Sequence, residues 1–294
     1  ASGDGEAGQV DGRPAPDRTA PRLVSRAGRD VVEAMFDFDT AFGAGAGVLR
    51  LAPDATGPGG VRAWILLTGL QSLRGHEECS NARGSLGKDH YARDFGGENW
   101  EDKRVRARRF DDHDPAVLVV GAGQAGLSIA ARLGQLGVDT LGVDREARVG
   151  DNWRKRYHSL TLHNEVHVNH LPYMPFPVTW PVFIPKDKLA NWFQSYADSL
   201  DLKGWTGTEL AGGDYDAHAR AWHVTLRRAD GSQRIMRPRH LVFATGVSAI
   251  PEMPRQPGLE DFQGTVMHSG AYTDGRAWKG RRALVLGTGN SAHD

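Results

Sequence analysis

An apolar run that ends in three closely spaced glycines constrains this chain more than any other feature. Residues 116–120 are aliphatic, and Gly121, Gly123 and Gly126 follow in the spacing G-x-G-x-x-G. Residues 127–133 then repeat apolar side chains at helical period. The segment predicts a strand, a tight turn and the start of a helix. In such a unit the first glycine permits the turn, the second lets the backbone approach a pyrophosphate, and the third lets helix and strand pack closely.

The backbone of this turn supplies the binding groups for a dinucleotide. The N–H groups and the dipole of a helix N-terminus face the phosphates, so we expect Gln124 and Ala125 to contribute together with the glycines. Residues 141–144 read as a second strand that ends in Asp144. Its carboxylate can accept hydrogen bonds from a ribose diol, and an acid there disfavours a 2′-phosphate. An ordinary strand–helix turn is the alternative interpretation, because a lone glycine motif is weak.

The same signature recurs near the end of the sequence. An apolar strand pattern over residues 282–286 precedes five candidate nucleotide-binding residues in the spacing G-x-G-x-x-A, namely Gly287, Gly289, Asn290, Ser291 and Ala292. Two such units imply two nucleotides. The sequence therefore predicts an α/β protein with a Rossmann-type three-layer fold and two dinucleotide-binding domains.

The rest of the chain divides into segments of different composition. Residues 1–22 hold almost no large apolar residue, so we expect a disordered tail. Residues 23–112 predict a partial antiparallel β or α+β domain followed by a connector. The first nucleotide domain then covers residues 113–249, and residues 250–294 begin a truncated second one. Because the chain lacks an initial methionine and ends inside the second motif, we expect a fragment of a longer protein.

Local patterns predict the elements within these segments. They comprise strands over residues 31–38, 47–51, 61–67 and 241–246, helices over residues 99–109 and 188–200, and a hairpin of residues 222–226 and 234–236.

Composition limits the classes of partner. The 36 Lys and Arg residues balance 36 Asp and Glu residues, so no overall field predicts nucleic acid as a partner. Cys79 is the single cysteine, which removes the redox pair of a pyridine-nucleotide disulfide reductase and any cysteine zinc site. No apolar run approaches about 18 residues, so we expect no membrane span and a cytoplasmic protein.

Two groups of histidines raise the question of a metal. They are His76 and His90, which accompany Glu77 and Glu78, and the cluster of His158, His163, His167 and His170. The first group has no pair at helical spacing with a third ligand. In the second, nearby prolines argue against the helix that a four-residue spacing would need. We therefore expect no metal site.

Aromatic and cationic residues interleave over residues 149–157, directly after the first nucleotide unit. Such a segment could bind single-stranded nucleic acid. Its position beside a dinucleotide fold favours the edge of a flat aromatic cofactor, with stacking and guanidinium contact to a pyrophosphate. The candidates in this segment are Trp153 and Arg156, and Arg145, directly after Asp144, is a further candidate.

Four motifs together resemble the class B flavoprotein monooxygenases, specifically the flavin-containing monooxygenases and the related plant YUCCA-type enzymes. They are the first glycine motif, the run G-x-x-W-x-x-R-Y from Gly150 to Tyr157, the triplet Ala244, Thr245 and Gly246, and the run F-x-G-x-x-x-H-x-x-x-Y from Phe262 to Tyr272. The last is the identifying pattern of that family. The resemblance extends over residues 115–294.

The resemblance implies an NADPH-dependent monooxygenase with FAD on the first glycine motif and NADPH on the second. NADPH would reduce the flavin, and dioxygen would give a C4a-hydroperoxyflavin that oxygenates a small organic substrate by N- or S-oxygenation or a YUCCA-like oxidation. His163 and Asn164 would line the flavin. Many family members have Glu at the position of Asp144 and Gly at the position of Asp151.

Three further expectations accompany this resemblance. The Baeyer–Villiger monooxygenases of ketones share both glycine motifs, but end the middle motif in Trp rather than Tyr272, so they are the alternative enzyme class. A truncated nucleotide-binding fragment without turnover is the alternative outside enzymes, and we expect this fragment to be inactive. The N-terminal strands resemble the end of an NTF2-like or SnoaL-like domain.

Overall fold

The structure is a computed structural model that describes residues 11–14, 18–78, 96–247 and 250–293. The chain divides into two compact units, Ala1–Gly84 and Ser85–Asp294.

In the first unit the described residues form an antiparallel sheet of five strands. They are β1 (Asp11–Pro14), β2 (Arg22–Arg26), β3 (Arg29–Thr40), β4 (Gly43–Pro53) and β5 (Val61–Leu70). The order is β1-β3-β4-β5, and β2 also pairs with β3. The three predicted strands are therefore present as β3, β4 and β5, each longer than the sequence pattern indicated.

Aromatic rings cover glycines on one face of this sheet. Phe36 and Phe38 of β3 stand opposite Gly47 and Gly45 of β4. A Cβ atom at Gly45 would lie 2.3 Å from the Phe38 ring, and one at Gly47 would lie 2.4 Å from the Phe36 ring. Glycine is required there because each ring lies over the facing backbone, which leaves Phe38 only 7% exposed.

Residues 11–14 differ from the prediction of a disordered tail over residues 1–22. They form β1, which pairs with Phe36–Asp39 in antiparallel register. The prediction weighed only apolar side chains, whereas an edge strand is held by main-chain hydrogen bonds to its neighbour. Residues 1–10 and 15–17 of that prediction lie outside the described residues.

The second unit is built on a parallel sheet. Its strands are β6 (Val117–Val120), β7 (Thr140–Val143), β10 (Gly204–Trp205) and β14 (His240–Phe243), in the order β10-β7-β6-β14. A second sheet is antiparallel and contains β11 (Thr208–Asp216), β12 (Ala221–Arg228) and β13 (Gln233–Met236). A short antiparallel pair, β8 (Thr161–Glu165) and β9 (Phe183–Pro185), completes the strands. The predicted hairpin is confirmed as β12–β13, whereas no sequence pattern predicted β8, β9, β10 or β11.

The described residues of the same unit form five α-helices. They are α1 (Trp100–Arg109), α2 (Gln124–Gln135), α3 (Asp151–Arg154), α4 (Lys186–Ser199) and α5 (Asn290–His293). Asn99 caps α1, because its side chain accepts the Asp102 N–H while the Asp102 carboxylate accepts the Asn99 N–H. This reciprocal pair is a capping box, so the predicted helix near residues 99–109 is confirmed.

Two apolar clusters define three layers. On one side, α2 and α4 share a cluster that includes Leu127, Phe193 and Tyr196. On the other side, Leu118 and Leu141 of the parallel sheet join the antiparallel sheet in a cluster of Phe110, Leu118, Leu141, Val143, Val224, Leu226 and Met236. Successive residues of a strand point to opposite faces, so the apolar run of β6 serves both sides. The predicted Rossmann-type three-layer fold is confirmed.

The predicted connector is partly integrated into the second unit. Trp205 donates its Nε1–H to the Arg108 carbonyl at 2.7 Å, and Arg104 Nε lies 3.1 Å from Asp201 Oδ1. Phe110, directly after α1, is 1% exposed. The division between residues 84 and 85 therefore lies well before the expected boundary at residues 112 and 113, because α1 docks through contacts that charge and irregularity in the sequence did not reveal.

The predicted strand over residues 282–286 is not formed. These residues have no strand hydrogen bonds to any described neighbour, and Leu284, Val285 and Leu286 are 84%, 60% and 60% exposed. A β-strand needs a paired neighbour to satisfy its backbone groups. The apolar pattern alone could not supply one, so the prediction of a strand was wrong for the structure.

None of the helices in the described ranges is long and apolar enough to cross a membrane.

Candidate cofactor-binding site

The turn between β6 and α2 requires glycine at its first position. Gly121 has a φ of +106°, which L side chains rarely adopt. Its N–H donates to the Val143 carbonyl at 2.7 Å. A Cβ atom at Gly121 would lie 2.4 Å from the Ala244 carbonyl oxygen. The turn is thus pressed between the ends of β7 and β14.

The third glycine brings the helix onto this turn. A Cβ atom at Gly126 would lie only 1.7 Å from the Gly121 carbonyl oxygen. The predicted reason for this glycine, close packing of helix and strand, matches the geometry. Gly123 differs, because a Cβ atom there would meet nothing closer than the Asn152 side-chain nitrogen at 3.2 Å. Folding leaves room at Gly123 that a ligand can use.

The N-terminus of α2 opens beside that space. Gly123 is the N-cap residue and no side chain caps the helix. The first N–H groups of an α-helix have no partner within the helix, and Gln124 and Ala125 are exposed. An uncapped, accessible helix N-terminus with a glycine at the approach is a site for a phosphate group, so these residues fit the pyrophosphate of a dinucleotide.

Asp144 lies at the turn, as its position after β7 predicts. Its Oδ2 accepts the Ala122 N–H at 2.6 Å, and its Oδ1 accepts the Glu146 N–H at 2.8 Å. Each carboxylate oxygen retains a second lone pair, so a ribose hydroxyl can still donate to it. Arg145 points elsewhere and is exposed, with its Nε 3.9 Å from Glu146.

The triplet Ala244 to Gly246 lies beside the same turn. The Ala244 N–H donates to the Val120 carbonyl at 2.8 Å, which continues the pairing of β14 with β6. Thr245 is exposed, and Gly246 has a φ of +83°. This segment therefore leaves the sheet at the edge where the glycine turn lies.

Trp153 brings the aromatic and cationic segment to the glycine turn. Its Nε1–H donates to the Gln124 side-chain oxygen at 3.4 Å. Arg156 is exposed and its side chain makes no hydrogen bond or ion pair with other described residues. The structure thus places Trp153 at the turn and leaves Arg156 on the surface.

His163 and the second glycine motif come together. The Asn290 side-chain nitrogen lies 3.1 Å and 3.0 Å from the two ring nitrogens of His163. Asn290 begins α5, after Gly287 with a φ of +142°. Asn164 is exposed on β8. Gly289, Ser291 and Ala292 are near the start of α5, so the second turn and its helix exist although the preceding strand does not.

Two of the sequence motifs lie against each other, which no sequence pattern predicted. The rings of Tyr157 and Tyr272 lie 6.1 Å apart, and the His158 N–H donates to the Thr273 carbonyl at 2.7 Å. Nearby, the Arg276 guanidinium lowers the pKa of the Asp274 carboxyl to about 2. Each tyrosine is the last residue of its motif. This common feature was the one sequence signal that could have indicated the contact.

No cluster of three or more metal ligands occurs within the part of the chain that the structure describes. His170 is engaged otherwise, because its Nδ1 accepts the Phe176 N–H at 2.9 Å. His90 lies outside the described residues.

The geometry fits a dinucleotide-binding α/β unit, in which an uncapped helix N-terminus suits a pyrophosphate. Residues 114–294 match the family model "FMO-like: Flavin-binding monooxygenase-like". The chain therefore belongs to the flavin-binding monooxygenase-like family, as the motifs predicted. This membership supports the predicted cofactors, FAD and NADPH.

Known proteins agree with this assignment. The chain is 35% identical over 191 residues to "Indole-3-pyruvate monooxygenase YUCCA1" of Oryza sativa subsp. japonica. The aligned region covers 65% of this chain and 46% of the relative. The "Flavin-containing monooxygenase from Stenotrophomonas maltophilia" is 26% identical with a TM-score of 0.55 over 61% of this chain and 53% of that one.

A solved cyclohexanone monooxygenase with bound epsilon-caprolactone has 27% identity and a TM-score of 0.51, over 61% of this chain and 36% of that one. The chain thus spans about half the length, or less, of the proteins that it matches.

Proposed function

We propose that this chain is part of an FAD- and NADPH-dependent monooxygenase that oxygenates a small organic substrate with dioxygen. The reaction would be N- or S-oxygenation or a YUCCA-like oxidation. The glycine turn carries the proposal, because folding demands glycine at positions 121 and 126 whereas Gly123 stands free beside an uncapped helix N-terminus. FAD, when bound, supplies the redox chemistry between NADPH, dioxygen and substrate.

The residues of this chain bind FAD and orient it. The N–H groups at the start of α2 hold the FAD pyrophosphate, and Asp144 accepts from the ribose of the adenosine. Trp153 covers the turn, and Thr245 and Gly246 line the edge of the sheet. Arg156 is exposed and can approach the phosphates. Arg145 is also exposed and would reach them by turning away from Glu146.

The second motif holds NADPH. Gly287, Gly289 and the start of α5 repeat the arrangement of turn and helix N-terminus. The contact of Asn290 with His163 joins this motif to the proposed flavin-lining strand β8. His163 and Asn164 then lie between the two nucleotides, where they exclude water and orient the substrate.

The domain assignment is part of the proposal. Residues 113–249 bind FAD, and residues 250–294 begin the NADPH domain. Because the chain spans about half of its relatives, we propose that it binds FAD weakly and does not turn over by itself. The single cysteine fits a cytoplasmic protein.

An absorption spectrum tests the proposal. The test uses a longer protein that contains this chain together with the regions found only in its relatives. This protein is reconstituted with FAD, and its flavin absorption bands and its oxidation of NADPH are measured. Flavin bands and oxidation are expected, and their absence would refute the monooxygenase function. Robust NADPH oxidation by the 294-residue chain alone would refute the proposal that this chain is inactive by itself.

Baeyer–Villiger oxygenation of ketones is the second candidate. The likeness to a cyclohexanone monooxygenase favours it, and Tyr272 at the end of the middle motif favours N- or S-oxygenation. Incubation with a cyclic ketone and with a tertiary amine, followed by mass spectrometry, separates the two. A lactone product would support the second candidate.

A further inference from the structure

A single helical turn carries the tryptophan that reaches the glycine turn. Helix α3 contains only Asp151–Arg154, and so short a helix does not persist in water by itself. It follows Gly150, which has a φ of +89°. A Cβ atom at Gly150 would lie 2.4 Å from the Ala190 carbonyl oxygen. Helix α3 is therefore pressed directly against α4.

Three charged side chains hold α3 in this place. Arg154 Nη1 donates to Asp151 Oδ1 at 2.9 Å and to the Val149 carbonyl at 2.8 Å. Arg154 Nη2 donates to the Ala190 carbonyl at 3.2 Å. Lys186, the first residue of α4, donates from Nζ to the Arg154 carbonyl at 3.0 Å. Helix α3 is thus fixed at both ends. We call Asp151, Arg154 and Lys186 the α3 clamp.

Two residues of the clamp are buried although they are charged, and the third, Arg154, is partly buried. Asp151 is 8% exposed and Lys186 is 6% exposed. Burying a charged group costs free energy unless it is paired and hydrogen-bonded, and apolar packing can hold a helix at lower cost. Directional hydrogen bonds fix orientation as well as contact. The clamp is therefore suited to setting the position of a side chain rather than to filling space.

Trp153 lies on α3 between the clamp residues Asp151 and Arg154. The Lys186 ammonium satisfies the Arg154 carbonyl, one of the last carbonyls of α3, which have no partner within the helix. The side chain that α3 presents is Trp153, 3.4 Å from Gln124 at the start of α2.

We propose that the α3 clamp positions Trp153 over the glycine turn and thereby sets the affinity for FAD. Asp151, Arg154 and Lys186 are positioning residues, because they act through Trp153 and not by contact with the cofactor. The proposal rests on the proposed function, since it requires FAD at the first glycine turn.

A double-mutant cycle in the 294-residue chain tests the clamp. Lys186→Met removes the ammonium group and keeps the stem, and Trp153→Ala removes the positioned ring. FAD binding is measured by fluorescence titration, with circular dichroism as the check of folding. We expect Lys186→Met to raise the Kd for FAD about tenfold, the scale of one lost charge-assisted hydrogen bond. In the Trp153→Ala background the same substitution should change the Kd less than about twofold.

The control is Lys188→Met, the same substitution at an exposed position of α4, which should leave the Kd unchanged. An unchanged Kd in Lys186→Met, or the same tenfold loss with and without Trp153, would overturn the clamp while leaving the proposed function intact. Failure of the unsubstituted chain to bind FAD would overturn both. If Lys186→Met does not fold, Asp151→Asn takes its place in the same cycle with the same expectations.

Discussion

Helix α2 contains two glycines that should respond in opposite ways to the same substitution. A Cβ atom at Gly126 would lie 1.7 Å from the Gly121 carbonyl oxygen and 2.9 Å from its carbon. At Gly134, on the same helix, nothing lies within 4 Å. Replacement by alanine adds the same methyl group at both positions. At Gly126 the methyl group clashes with the turn, and at Gly134 it lies in open space.

The expected magnitudes follow from these distances. Alanine is favoured over glycine in a helix by about 1 kcal/mol, so Gly134→Ala should raise the free energy of unfolding by about that amount. At Gly126 the backbone of the turn must move by more than an ångström to admit the methyl group. Such overpacking costs roughly 1–3 kcal/mol, which outweighs the gain in helix propensity.

Urea denaturation of both variants measures the difference. The expected result is a lower midpoint for Gly126→Ala and a higher one for Gly134→Ala, at an unchanged slope. Equal or increased stability of Gly126→Ala would show that the turn is not packed as described, and would remove the structural reason for the third glycine.

Three further substitutions test other parts of the fold. Tyr196→Phe should lower the free energy of unfolding by about 1 kcal/mol, because its buried hydroxyl donates to the Pro172 carbonyl at 3.0 Å; an unchanged denaturation midpoint would contradict this. Asn99→Ala should cost about 1 kcal/mol through loss of the capping box, and helical circular dichroism on heating measures it. In the first unit, hydrogen bonds from Arg50, and also from Arg26 and Arg22, lower the pKa of Glu33 from 4.5 to about 2. The stability from this carboxylate is therefore complete above pH 4.5 and lost as the pH falls towards 2. Glu33→Gln should lack that part of the acid dependence in urea titrations at pH 2 to 6, and an identical pH profile would refute the role of the cluster.

Local patterns predicted the first nucleotide unit well because its determinants are local. Each of its patterns determines the structure of the segment in which it occurs. These patterns are the aliphatic run of β6, the glycine spacing and the acid after β7. Asp144 shows the limit of this reasoning. Its position was predicted, but the hydrogen bond that it accepts from the Ala122 N–H of the turn was not, since that bond depends on how β7 lies beside β6.

Strands that depend on a partner far away in the sequence were not predicted, or were predicted where none forms. Strand β10 is two residues long and exists because β7 offers an edge. Residues 11–14 form a strand for the same reason, with β3 as the partner. The apolar run at residues 282–286 shows the converse, because a good strand pattern without a described neighbour stays unpaired. The contact between Tyr157 and Tyr272 likewise joins residues that are far apart in the sequence.

The central claim is that the turn between β6 and α2 holds the pyrophosphate of FAD, and Gly123→Val tests it most directly. Gly123 has a φ of −78°, which any residue adopts, and the atom nearest to a Cβ there is the end of the Asn152 side chain. The variant should therefore fold, with an unchanged circular dichroism spectrum. In a fluorescence titration we expect the unsubstituted chain to bind FAD and Gly123→Val to show no binding. Equal Kd values for the two proteins would contradict the assignment of this turn as the cofactor site.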